Sequence, residues 1–306
     1  DLTARLLMPF ESAAHILGTD ELGRDIERLE GMAGRVFVGE MAGAVGTLAS
    51  QPEHGLETQK RMFRILGLGV PTIAWHVARD SQAEFTSNLA LCAGTLGRIN
   101  HEILSLQRTE ILELEEPFFM GKIGSSTMPH KRNPAVLENV LALLRSVRSI
   151  APAVTESMVS ENERDWGCFL TEWEAIPRAC HLMGAALAKT KNILKNLIVY
   201  PNHMERNLFA QKGLMMSECV MMHLAGRLGR MTAHGIVYKA CMEAYEKEIP
   251  LKDVLVRTPE VTAAFTEEEI DTMLDPHSYL GLAPQFADRV VEKWSAKAAE
   301  AEEPAS

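Results

Sequence analysis

The chain has 306 residues, 46% apolar and 24% charged, which is enough for a sizeable core and leaves one or two domains open. A net charge of −10 argues against a general nucleic-acid binder, although a local basic patch still suits an anionic substrate. No apolar run approaches the ~20 residues of a membrane span, and five scattered cysteines without CxxC spacing fit a reducing cytoplasm, as small residues on helical faces, better than a disulfide framework or a zinc site.

Taken in order, residues 1–20 give a weak helical pattern and Glu21 to Phe37 a charged helix, ending in the small-residue run Met41 to Ser50. Such a run serves close helix packing or leaves room for a ligand beside Thr47. Glu57 to Leu68 is helical and stops at glycines that do not form a dinucleotide fingerprint, since no strand precedes them. Trp75-His76-Val-Ala-Arg79-Asp80 follows. It reads either as a packing aromatic, a solvated histidine and a capping ion pair, or as part of a site.

The strongest periodicity comes next, with Phe85, Leu89, Cys92, Leu96, Ile99, Ile103 and Leu106 alternating by four and three. Similar seams recur at Val136, Val140, Leu143, Val147 and Ile150, and at Ile176, Cys180, Met183, Leu187, Thr190, Leu194 and Leu197. Three long stripes of this kind predict a helix bundle with near-parallel axes and an all-α protein. Their excess of apolar surface points to helices of other subunits completing the core. Glu110 through Glu116 is rich in carboxylates without the histidine spacing of a metal site, and reads as a solvated face.

Between the first two stripes lies Glu116-Pro-Phe-Phe-Met-Gly-Lys-Ile-Gly-Ser-Ser-Thr-Met-Pro-His-Lys-Arg-Asn-Pro134, a loop dense in hydroxyls and cations. Asn133 reads as the N-cap of the next helix and Pro134 as its first residue. Lys131, Asn133 and that helix N-terminus are expected to converge on one point suited to a carboxylate. Downstream, Glu163-Arg164-Asp165 and Glu172-Trp173-Glu174 set carboxylates and tryptophans around one arginine. After Pro201 a methionine-rich helical tail leads to short helices, with Thr266 capping Glu267–Glu269. Ala296 to Ser306 is expected to fray. The expected domains are an N-terminal segment 1–40, a central bundle 41–230 with the signature loop at 118–134, a small helical domain 231–295 and a tail 296–306.

The run Gly124-Ser-Ser-Thr-Met-Pro-His-Lys-Arg-Asn-Pro134 resembles the signature loop of the fumarase/aspartase superfamily. Gly43-Ala-Val-Gly-Thr-Leu-Ala, Leu106-Gln-Arg-Thr-Glu110, Glu163-Arg164 and Asp275-Pro-His-Ser-Tyr-Leu-Gly-Leu-Ala283 extend the likeness into the branch of adenylosuccinate lyases and 3-carboxy-cis,cis-muconate cycloisomerases. Trp75-His76 and Glu172-Trp173-Glu174 tilt it toward the cycloisomerases. The resemblance implies a long-helix bundle with a small helical C-terminal domain, and a cytoplasmic homotetramer with active sites shared between subunits. It also implies cofactor-free, metal-free acid/base chemistry on a small polycarboxylate, with no nucleic-acid or membrane partner.

By the same resemblance Ser125 is the catalytic base. Ser126, Lys131, Asn133, Arg164, His76 and Thr47 bind substrate, and Glu138 orients an acid histidine. The Thr-x-x-His that carries that histidine in the family is absent from Asp1 to Arg35, so either residues upstream of Asp1 are expected, the favoured reading, or the chain is a truncated relative without that histidine. Cycloisomerisation of a carboxymuconate is the first expectation and adenylosuccinate-type elimination the second. An inactive structural protein on the same fold is the third, disfavoured by the retention of Ser125, Lys131 and Asn133.

Overall fold

The computed structural model describes residues 9–118, 127–128 and 130–302, with side chains over 20–118, 127–128 and 130–295. The all-α expectation holds. Besides helices, the described backbone contains only two two-residue strands, Leu114–Glu115 and Ile198–Val199. None of the described helices is long and apolar enough to cross a membrane. The chain divides into two compact units, residues 17–108 with 114–198, and residues 1–16 with 109–113 and 199–306.

The unit that carries Lys131 and Asn133 is built on α1 (Pro9–Val36) from Leu17 onward, α2 (Gly55–Leu66), α3 (Asp80–Leu106), α4 (Ala135–Glu156) and α5 (Trp166–Lys195). The first two seams become the contact between α3 and α4. Leu89, Cys92, Leu96 and Ile103 of α3 meet Leu137, Val140, Leu144 and Val147 of α4, because residues three and four apart share one helix face. Burial also pushes the Cys92 thiol up to about 11, as expected for a thiol in apolar surroundings.

The third seam is rotated from its expected position. On α5 the inward face is Ala175, Ala179, Met183, Ala186, Thr190 and Ile193, while Cys180, Leu187 and Leu194 of the expected stripe are exposed. Alanines allow α5 to approach its neighbours closely, so the small face turns inward and the leucines are left outside. The exposed thiol of Cys180 departs from the core placement expected of it.

The other unit holds α6 (Pro201–Leu208), α7 (Ser217–Leu228), α8 (Arg230–Glu246) and the short helices α9 (Leu251–Leu255), α10 (Pro259–Thr262) and α11 (Glu267–Leu274), followed by α12 (Ala283–Glu302). Its core joins Val220 and Leu224 to Val237, Leu251, Leu255 and Ile270. Thr266 caps α11 as expected. Its Oγ1 accepts the Glu269 N–H at 3.2 Å, and a Glu269 carboxylate oxygen accepts the Thr266 N–H at 2.8 Å, a reciprocal capping box. Where composition predicts fraying from Ala296, the backbone remains helical to Glu302.

Candidate active site

The expected site residues fall at two ends of the loop-bearing unit. One end lies before α3. Gly39 and Gly69 exchange backbone bonds with their opposite segments, the Gly39 N–H donating to the Gly69 carbonyl at 2.9 Å and the Gly69 N–H to the Phe37 carbonyl at 2.8 Å. A Cβ on Gly39 would lie 2.1 Å from the buried Phe63 ring, so only glycine permits this approach. The Trp75 indole N–H donates to the Gly39 carbonyl at 2.9 Å, and the Trp75 backbone N–H donates to Glu40 at 2.7 Å. This fixes His76 beside Glu40, with Nδ1 3.8 Å from Oε1.

Arg79 is not the capping partner of Asp80. It is buried and forms a two-point ion pair with buried Glu172 of α5, Nε donating to Oε1 at 2.9 Å and Nη2 to Oε2. Its guanidinium also lies over the rings of Phe169, at 4.8 Å, and Trp75, at 5.4 Å. These residues, with Gln82 and Trp173, border a cavity of about 550 Å³. Three buried atoms around it have no hydrogen-bond partner among the described residues, Arg79 Nη1, Glu40 Oε1 and Gln82 Oε1. Buried polar atoms are normally paired, so these mark the cavity as a place for a polar ligand or a polar group of another chain.

Thr47 and Arg164 belong to the same end. Gly46, at a φ of +81°, brings its loop so close to Ala74 that an added Cβ would sit 3.0 Å from the Ala74 Cβ and 3.9 Å from His76 Nδ1. The run of small residues is therefore a tight loop, not a helix seam. Thr47 on it is exposed, and exposed Arg164 reaches the loop through Nη2, which donates to the Ala44 carbonyl at 3.4 Å. Asp165 then caps α5, accepting the N–H groups of Gly167 at 2.9 Å and Cys168 at 3.3 Å. The Cys168 N–H first, and then the Cys168 thiol, hold the Asp165 carboxyl below its ordinary range.

The second end lies beyond α3, at the two stems of the signature loop. Ser125 and Ser126 fall outside the described residues. Lys131 is exposed, its N–H donating to the Met128 carbonyl at 3.0 Å, and Asn133 is half-buried. α4 starts at Ala135, with Pro134 in the capping position and no capping side chain from it. The first helical residue is thus one later than expected, and Asn133 is not the cap.

Residues read as a solvated face do the work instead, since Glu115 and Glu116 are 3% and 2% exposed. The Glu116 carboxylate accepts the N–H groups of Val136 at 3.0 Å and Leu137 at 2.9 Å. The Ala135 N–H donates to the Asn133 carbonyl and the Glu138 N–H to the Pro134 carbonyl. Pro134 has no N–H, so the three N–H groups that this helix start leaves open, those of Ala135, Val136 and Leu137, are all taken within the chain. Lys131 and Asn133 do not converge with a vacant helix N-terminus, which corrects that expectation. Glu138 sits exposed in the first turn of α4.

The two ends are far apart. Arg79 immediately precedes α3 and Gln107 immediately follows it, and 27 helical residues span about 40 Å. Gln107 belongs to the loop stem, accepting the Glu116 N–H at 2.9 Å and donating to the Arg132 carbonyl at 3.4 Å. His76, Thr47 and Arg164 thus gather at one end, Lys131, Asn133 and Glu138 at the other. Sequence reasoning missed the Arg79–Glu172 pair and the Glu116 cap, although both involve segments whose density of charge had singled them out.

Known proteins give this arrangement a family. Residues 14–149 match the family model described as Lyase, and residues 213–290 the one described as Adenylosuccinate lyase C-terminus. The chain is 42% identical over 278 residues to an N-acetyl-S-(2-succino)cysteine lyase of Enterococcus italicus, covering 91% of this chain and 61% of that one. It is 42% identical over 275 residues to an adenylosuccinate lyase of Methanocaldococcus jannaschii, covering 89% and 60%. The crystal structure of a 3-carboxy-cis,cis-muconate lactonizing enzyme from Pseudomonas putida superposes with a TM-score of 0.82 at 35% identity, covering 91% of this chain and 61% of that one. The chain therefore spans about three-fifths of the length of these relatives, and it belongs to the fumarase/aspartase superfamily.

Proposed function

We propose that the protein makes or breaks a bond β to a substrate carboxylate by acid/base catalysis, in active sites assembled from more than one copy of the chain. The observation that carries this reading is the separation of the expected site residues to opposite ends of α3. A small substrate cannot touch both across about 40 Å, whereas the loop end of one copy set against the Arg164 end of another brings them together. The exposed leucines of α5 offer the apolar surface for such an association.

In the assembled site Ser125 removes the proton next to one carboxylate. Lys131 and Asn133 hold that carboxylate and stabilise the dianion that forms, and Arg164 grips a second carboxylate. Because the first N–H groups of α4 are committed, the positive charge at the loop end comes from side chains, Lys131 foremost. Glu138 orients an acid group brought by another segment.

Elimination of fumarate from a succinyl conjugate is the first reading, supported by the 42% identity shared with relatives named for that chemistry. The cavity disfavours a nucleotide as the leaving group. Its ionisable residues are Glu40, His76, Arg79 and Glu172, and Arg79 is already paired with Glu172, so the lining is a poor wall for a phosphate dianion. An S-succinyl thiol conjugate fits better. Cycloisomerisation of a carboxymuconate is the second reading, favoured by the Trp75 and Trp173 lining and by the superposition on the lactonizing enzyme.

Parallel incubation with N-acetyl-S-(2-succino)cysteine, adenylosuccinate and 3-carboxy-cis,cis-muconate, followed by ultraviolet absorbance, tests this. Fumarate from the thioether is expected. Consumption of the muconate alone would select the second reading, and turnover of none would overturn both.

A further inference from the structure

The buried carboxylate of Glu116 is an expensive way to cap a helix, since an ion removed from water is costly unless fully hydrogen-bonded, and an asparagine or serine at the helix start would serve. Its placement explains the choice. Glu116 stands on the strand-side stem of the signature loop, and the N–H groups it binds, Val136 and Leu137, stand on the helix-side stem. Gln107 joins the same two stems through the Glu116 N–H and the Arg132 carbonyl. Arg132 closes the mouth a third time, its Nη1 3.1 Å from a carboxylate oxygen of buried Glu115 and its guanidinium over the Phe118 ring at 4.4 Å.

We propose that Glu116 is a positioning residue, which pins the mouth of the loop to α3 and α4 and thereby sets where Lys131 and Asn133 are presented. An anion at the positive end of α4 is favourable there, and it reserves that end against the substrate's own carboxylates. Its catalytic consequence rests on the function proposed above, whereas the clamp itself does not.

The test is Glu116→Gln, read by hydrogen exchange of the native protein and by steady-state kinetics. The Val136 and Leu137 amides are expected to exchange at least about tenfold faster, with the loss of protection confined to the stems and the body of α4 unchanged. The kcat is expected to fall by about ten- to a hundredfold with a smaller change in KM, as for a displaced catalytic group. A cap that merely stabilises α4 would leave kcat per folded molecule unchanged, and that result, or wild-type exchange at the two amides, overturns the proposal. If Glu116→Gln does not fold, Gln107→Leu must produce the same localised opening, and intact protection there overturns it equally. Failure of all substrates to turn over would sink the proposed function yet leave the exchange result to decide the clamp.

Discussion

Arg79 and Glu172, 93 residues apart in the chain, form a buried two-point ion pair that ties the start of α3 to the second turn of α5. The pair sets the aromatic cavity in place, because the same guanidinium lies over Trp75 and Phe169. It also neutralises the one arginine among the described residues that line that cavity.

Removing one partner leaves a buried, unpaired charge. Glu172→Gln is expected to destabilise the folded chain by about 3–5 kcal/mol, measured by urea denaturation. Replacing both residues by apolar ones of similar volume is expected to cost less. A loss below about 1 kcal/mol in the single variant would show that the pair contributes little.

The outward leucines of α5 give a second prediction. Leu187 and Leu194 are 46% and 38% exposed, and an association that covers them gains about 1.5–3 kcal/mol per side chain at most. Leu187→Asp with Leu194→Asp is expected to lower the oligomeric state in sedimentation while leaving the helical circular dichroism unchanged. An unaltered sedimentation coefficient would remove α5 from the interface.

Asp165 supplies a pH test. Its folded carboxyl lies below its ordinary value, 3.8, through the N–H and thiol of Cys168 and the N–H of Gly167. A depressed folded value means that its contribution is present above the unfolded value and is lost as pH falls through the folded one. The stability difference between the wild type and Asp165→Ala should therefore be constant from neutral pH down to about pH 5 and shrink below about pH 4. A difference that persists unchanged to pH 2 would contradict the assignment.

Much of this molecule is legible in its sequence, and the failures are instructive. The α3 and α4 seams were readable because large apolar residues alone marked the buried face. On α5 both faces carry apolar residues, and periodicity favoured the larger ones, so the alanine face that packs inside was overlooked. The capping box at Thr266 and Glu269 is a local bond between residues three apart and could be read directly. The capping of α4 is not local. Its acceptor, Glu116, sits twenty residues before Val136, and nothing within the segment Glu110–Glu116 distinguishes a carboxylate that faces water from one that accepts two helix amides. The partner of Arg79 is likewise invisible until α3 and α5 are packed together. The signature loop named the family, yet the sequence could not show that Lys131 and Asn133 stand a helix length away from Thr47, His76 and Arg164.

That separation makes subunit complementation the most direct test of the account. Ser125→Ala removes the proposed base of the signature loop, and Arg164→Leu removes the proposed carboxylate clamp, which lies beside the Ala44 loop. Each variant alone is expected to be inactive on the substrate that the wild type turns over. When the two are mixed, dissociated and reassociated, sites that draw their loop from one variant and their clamp from the other regain both groups, so activity should return to a substantial fraction of wild type. A mixture as inactive as its components, with mixed oligomers confirmed by mass, would contradict an active site shared between copies.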